Sequence, residues 1–284
     1  MQKWREVDLS MGSYSYPYKI CYKLKLVSAV ILVAALAEHA LFVASKYTAI
    51  PDNEIMLEKI NIYFNKSYDQ IFSIVPYSIY IGILMQVLDI YSVFAWNYKD
   101  LFIILISIVL SHRFEQIFRK IRLMSKYKVS DEFHWRRVRE DYLKLSALCK
   151  LVDALMANIV VLSFTHNLFV VLVQFMYILH ENDHTLIQRF YFIYSFGFLI
   201  MRIICVCLFA AEIYCVSRKP LEVLTSLPTE IHNKEIDRFI LQVKTNPAYL
   251  SGGEFFIITK SLVLRISGAI VAYELVLIQM YYYK

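Results

Sequence analysis

The chain has 284 residues, 58% of them hydrophobic and 19% charged, with a formal net charge of +6 and a mean hydropathy of +0.49. This balance excludes an ordinary soluble domain of the same length and implies an all-α polytopic membrane protein. The five cysteines, Cys21, Cys149, Cys205, Cys207 and Cys215, lie in or near apolar segments without the paired spacing of a secreted scaffold, so they read as packing residues.

Met1 to Glu6 is polar and has no apolar core ahead of a cleavage site, so no cleavable signal peptide is expected and residues 1–25 read as a cytoplasmic segment. Leu26 to Ser45 matches one bilayer thickness and predicts the first span, with Glu38 and His39 its only strongly polar members. Gln70 to Ser111 is about twice that length, and nothing after Gly82 marks a reversal. Charge decides how it crosses. Basic residues crowd both 1–25 and 112–150, whereas the intervening Thr48 to Asp69 loop carries Asp52, Glu54, Glu58, Asp69 and the sequon Asn65-Lys66-Ser67. A single crossing puts both basic regions in the cytosol and a glycosylatable Asn65 outside. The stretch is therefore predicted as one long helix that overhangs the bilayer.

Ala154 to Leu179 and Phe190 to Ala211 predict two further spans, and Ile266 to Tyr283 a fifth. The N-terminus is then cytoplasmic and the C-terminus extracellular. Residues 26–215 form a transmembrane sensing domain with a projecting cytoplasmic helix around 112–150. Segment 216–262, with Ile231, Ile236, Phe239, Ile240 and Val243 at helical spacing, reads as a cytoplasmic anchor packed on the projecting end of the long helix. Residues 263–284 form a separate terminal helix, which the resemblance given below implies lines a pore.

Polar residues at membrane depth are costly, a charge at a helix centre being worth roughly 2.5 to 3.5 kcal/mol on insertion scales. Glu38 and His39 either bind a polyol's hydroxyls or make a helix-to-helix hydrogen bond. Gln86 and Asp89, three apart and so on one face, join Tyr77, Tyr80, Trp96 and Asn97 in a polar and aromatic lining suited to a carbohydrate, although tyrosines at a bilayer edge also serve as anchors. His166, Asn167, Gln174, Tyr194, Ser195 and Arg202 complete the set. Arg202 is expected to pair with a carboxylate such as Asp89 or Glu38. His180 and His184 lack a further ligand set, so no metal is predicted.

The last helix reads Ala272-Tyr273-Glu274-Leu275-Val276-Leu277-Ile278-Gln279-Met280. It resembles the C-terminal signature of insect gustatory receptors, with Ala272 where Thr and Met280 where Phe are usual; YELVLIQ is most similar to the sugar-receptor branch. Ala37-Glu38-His39, Val75-Pro76-Tyr77-Ser78, Trp96 through Phe102, Leu162-Ser163-Phe164 and Ala248 through Gly253 resemble that branch too. The resemblance implies helices three to seven of a seven-helix receptor, in an N-terminally short form. It further implies a plasma-membrane, sugar-gated, non-selective cation channel assembled as a homo- or hetero-tetramer in membrane lipid, with no enzyme activity, cofactor or nucleic-acid partner. From the polar and aromatic residues at membrane depth, the ligand-binding candidates are Glu38, His39, Tyr77, Gln86, Asp89, Trp96, Asn167 and Arg202. The family's Gln-Phe pair gives Gln279 and Met280, flanked by Tyr273 and Val276, the role of pore and gate. A G-protein-coupled-type chemoreceptor fragment would instead need a cytoplasmic C-terminus, and a secondary transporter needs broken helices in related halves, which the chain lacks.

Overall fold

In the computed structural model the described residues are 2–12, 14, 18–48, 50, 55–180 and 185–282, with backbone alone at 18, 19, 177–180, 274, 277, 278 and 280–282. Their helices in chain order are α1 (Gln2–Ser10), α2 (Tyr18–Tyr47), α3 (Met56–Ser67), α4 (Asp69–Phe72), α5 (Ile79–Lys126), α6 (Glu132–His180), α7 (Leu186–Arg218), α8 (Pro220–Thr225), α9 (Lys234–Thr245) and α10 (Lys260–Tyr282). Among the described residues α2, α5, α6 and α7 are long and apolar enough to cross a membrane.

The long apolar stretch is a single helix, α5, of 48 residues. At 1.5 Å per residue it is about 72 Å long, more than twice a hydrocarbon core of about 30 Å. It begins at Ile79 rather than Gln70, because Pro76 disfavours helical geometry at Val75 and lacks its own N–H; Gln70 falls in α4 instead. The basic segment 112–150 is built from the end of α5 and the start of α6, joined at Tyr127–Asp131. Lys128 takes φ 48° in that turn, and the indole Nε1 of the fully buried Trp135 donates to the Val129 carbonyl at 2.8 Å.

The described residues form two compact units. The first comprises Met1–Leu26, Phe102–Thr165 and Ile204–Gly268. Its centre is Tyr142, whose ring meets Phe114 of α5 at 5.6 Å and Phe239 of α9 at 5.3 Å between centroids. Helix α9 buries Ile236, Phe239 and Val243 along one stripe, as the apolar spacing predicts, and Asn233 caps it by accepting from the Ile236 N–H at 3.0 Å. Its ion pair runs to α6 rather than α5: Arg139 meets Glu235 at 2.8 Å, and Arg238 closes on the same carboxylate. Burial by itself would raise the Glu235 carboxyl, but hydrogen bonds from Arg238 and Arg139 hold it below the usual carboxylate range. The chain then turns at Gly253, whose φ of +61° suits glycine. A short antiparallel bridge pairs Ser251 with Ile257, and Asp153 of α6 accepts from the Ser251 N–H at 2.6 Å. Cys149 and Cys207 are buried, as packing residues are expected to be, whereas Cys21 is exposed.

The Tyr142 hydroxyl donates to the Ser217 carbonyl at 3.0 Å inside this core. Tyr142→Phe keeps the ring and orphans that carbonyl, so it is expected to cost about 1 to 2 kcal/mol. A thermal melt of the purified protein reads it as a drop of a few degrees; an unchanged midpoint would show that the bond contributes nothing.

The second unit comprises Val27–Leu101, His166–Ile203 and Ala269–Lys284. The Thr48 to Asp69 region is not a bare loop, because α3 lies within it. Tyr63 and Phe64 of α3 pack with Ile50, Ile60, Phe72 and Ile79 in a small cluster. The Phe64 ring sits so close to Gly82 of α5 that a Cβ there would lie 2.6 Å from it, so glycine is what lets α3 seat on α5. Val30, Val33 and Leu36 of α2 are exposed apolar residues, the face a spanning helix turns to lipid.

Candidate functional site

Four helices of the second unit enclose a cavity of about 310 Å³. Each contributes one face at helical spacing: Glu38, His39 and Phe42 from α2; Asp89, Val93, Trp96 and Asn97 from α5; His166, Val170 and Gln174 from α6; Tyr191, Ser195, Leu199 and Arg202 from α7. The volume lies at the small end of the range for ligand pockets, about 300 to 1,000 Å³. It suits one small, polar molecule.

A hydrogen-bond relay joins three of these helices. Gln174 Nε2 donates to Ser195 Oγ at 2.8 Å, and Ser195 Oγ donates to the Glu38 carboxylate. Three buried polar atoms of lining residues have no hydrogen-bond partner among the described residues: His39 Nδ1, Gln174 Oε1 and Arg202 Nε. Such atoms cost free energy unless a ligand or water satisfies them. Further along, the Trp96 and His166 rings stack with centroids 3.8 Å apart and planes 5° from parallel, and Lys99 Nζ lies 5.1 Å from the centre of the Trp96 ring.

One end of the cavity is closed by Arg202. Its Nη1 donates to Asn97 Oδ1 at 2.6 Å and its Nη2 to Asn167 Oδ1 at 2.8 Å. Its Nε is 3.0 Å from Asp100 Oδ2, within ion-pair distance although the N–H points off the oxygen. Asn167 Nδ2 also donates to Asp100 at 3.1 Å. The carboxylate partner is thus Asp100, which is fully buried, rather than Asp89 or Glu38. Spacing identifies a helix face but not which residue of the facing helix stands at the same depth.

Of the residues expected to bind ligand, Glu38, His39, Asp89, Trp96 and Arg202 line this cavity. Asn167 stands behind Arg202 as part of its hydrogen-bond cage. Gln86 accepts from Tyr63 at 2.9 Å and from Tyr68 at 3.3 Å, so it is engaged with the α3 region. Tyr77 donates to Asn61 Oδ1 at 2.7 Å and packs on Phe72; Tyr80 is 81% exposed. Sequence reasoning did not single out Phe42 and Tyr191, whose centroids are 5.7 Å apart. Phe42 is one turn after Glu38 and Tyr191 one turn before Ser195, so the helical repeat carried the signal. Both also line a neighbouring cavity of about 370 Å³ that includes Lys46, Tyr63, Lys66 and Gln188.

In α10, Tyr273 and Val276 are 59% and 50% exposed and Gln279 is exposed as well. The Met280 side chain lies outside the described residues, as do the side chains of His180 and His184. Asn65 is exposed on α3.

Long apolar helices around a cavity lined with polar side chains define a multi-pass membrane protein. The fold is that of the insect olfactory receptor OR5 from Machilis hrabei, whose structure in complex with eugenol matches 98% of this chain and 74% of its own with a TM-score of 0.66 at 13% identity. A family model described as trehalose receptor matches residues 1–283. In Drosophila melanogaster, the gustatory receptor for sugar taste 64a is 34% identical over 96% of this chain and 61% of its own length. The gustatory receptor 5a for trehalose is 28% identical over 98% and 63%. The chain belongs to the trehalose-receptor family, the sugar branch of the insect gustatory receptors. That family consists of receptors, not enzymes. The chain spans about six-tenths of the length of these relatives.

Proposed function

We propose that the chain is a subunit of a sweet-taste receptor that binds a sugar in the α2–α5–α6–α7 cavity and opens a non-selective cation pore. The observation that carries this reading is the cavity's combination of the Glu38 carboxylate, the unpartnered His39 Nδ1 and Gln174 Oε1, and the aromatic Trp96. A pyranose offers hydroxyls to the first three and an apolar ring face to an indole. The names of the relatives, sugar taste and trehalose, support the same ligand class.

In this reading α10, 23 residues long, is a fifth span, and the five correspond to helices three to seven of the longer relatives. Its exposed Tyr273, Val276 and Gln279 meet their counterparts in a homo- or hetero-tetramer. A ring of apolar side chains gates by dewetting, and the amide beside it gives a partly hydrated cation a polar rest. The N-terminus is cytoplasmic, the C-terminus extracellular, and Asn65 an external glycan acceptor. Sugar opens the pore only if it binds the open state more tightly than the closed one. Expression of the chain with the two further N-terminal helices implied by the relatives is expected to yield sugar-evoked cation current. Abundant surface protein that stays silent to mono- and disaccharides would sink the reading.

A further inference from the structure

A third cavity, of about 410 Å³, lies wholly within the first unit, where α2, α5 and α7 all pass from apolar to charged sequence. Lys23 precedes the apolar run of α2 that starts at Leu26; His112, Glu115 and Arg119 follow the run of α5 that ends at Ser111; Glu212 and Lys219 follow the run of α7 that ends at Ala211. All six line the cavity, beside the apolar Ile20, Ile108 and Val216.

The charges do not satisfy one another. Glu115 is shared, its two oxygens each 3.4 Å from a cation, Arg119 on one side and Lys219 on the other. Glu212 is drawn to Lys260, at 3.6 Å, which does not line the cavity. These contacts are longer than the roughly 2.7 to 2.9 Å of a firm charge-assisted bond. Lys23 has no carboxylate within ion-pair distance among the described residues, and its Nζ rests 5.4 Å from the centre of the Phe209 ring. His112 Nε2 is buried without a hydrogen-bond partner among the described residues. Three cations thus face two carboxylates, one of which serves a lysine outside the cavity, and an imidazole nitrogen is left over.

We propose that this cavity binds a phosphate group, held by Lys23, Arg119, Lys219 and His112. A phosphate monoester or diester supplies the missing negative charge and several acceptor oxygens at once. Its source is an anionic phospholipid. The cavity opens at the level where three spanning helices leave the apolar layer, which is headgroup depth, and its isoleucine and valine wall suits the first methylenes of an acyl chain. The assignment rests on the membrane reading alone and is independent of sugar binding in the second unit.

The test uses the full chain purified in neutral detergent and offered mixed micelles of phosphatidylcholine with or without phosphatidylinositol 4-phosphate, with bound lipid counted by native mass spectrometry. Retention of the phosphoinositide over phosphatidylcholine is expected, falling about fivefold for each lysine neutralised in Lys23→Gln and Lys219→Gln. Lys150→Gln, a basic change away from the cavity, leaves retention unchanged. Lys23 makes no ion pair among the described residues, so Lys23→Gln still reports should Lys219→Gln unfold the protein. Addition of inorganic phosphate separates the sources: lipid that resists it marks a headgroup site, and lipid displaced by it marks a phosphate site open to the free anion. Equal retention of the two lipids, or the same loss in Lys150→Gln as in Lys23→Gln, overturns the proposal.

Discussion

Arg202→Ala is expected to abolish surface expression, or to leave a protein that melts far below the wild type. Arg202 is 5% exposed and Asp100 is fully buried, and the guanidinium is tied to Asp100, Asn97 and Asn167 from two other helices. Truncating it takes the guanidinium away from the buried Asp100 carboxylate. Breaking a buried pair from one side costs about 3 to 5 kcal/mol, a large share of the roughly 5 to 15 kcal/mol that holds a folded protein. Asp100→Ala should do the same from the other side. The double variant Asp100→Leu, Arg202→Met removes both charges together and should recover part of the loss, because a hydrophobic pair of similar volume has no charge to desolvate; the two asparagines it orphans limit the recovery. Surface biotinylation and fluorescence-detected melting measure all three. If Arg202→Ala folds as well as the wild type, the cluster is not a structural lock.

Glu38→Gln is expected to weaken the sugar response without changing the amount of protein at the surface. The substitution keeps the shape and most of the Ser195 contact but turns an ionised acceptor into a neutral amide. Hydrogen bonds to charged groups are worth about 1.5 to 3 kcal/mol, so the half-maximal sugar concentration should rise roughly ten- to a hundredfold. Glu38 is joined to α7 through Ser195 and onward to α6 through Gln174, so a control is needed for a purely structural effect. Ser195→Ala cuts the relay while leaving the carboxylate in the cavity, and should shift the response much less. Equal shifts in the two variants would assign Glu38 to the relay rather than to the ligand, and no shift in either would remove it from the site.

How far the chain could be read in advance depended on the kind of signal. The unbroken α5 was legible because no residue after Gly82 offers a turn, and α9 because Ile236, Phe239 and Val243 recur at helical spacing. Helix α3 was missed: Ile60, Tyr63 and Phe64 are spaced for a helix face, but the charged residues around them read as loop. Part of the site was visible too. Glu38, His39, Asp89, Trp96 and Arg202 stand out as polar groups and an aromatic in apolar runs, and all five line one cavity. Gln86 had the same credentials, yet two tyrosines of the α3 region claim it.

Hydropathy, charge bias and the closing motif determined by themselves that this is a helical, multi-pass membrane protein of the sugar branch of the insect gustatory receptors, since cost in lipid depends on residue type and position along one chain. Tertiary structure alone decided that Arg202 answers Asp100, that Asn167 stands behind the cavity, that Phe42 and Tyr191 line it, and that charges from α2, α5 and α7 meet in a separate basic pocket. Those outcomes turn on the rotation and depth of each helix against its neighbours. A difference of one residue in either swaps the side chains that face each other, and nothing local to a single helix encodes it.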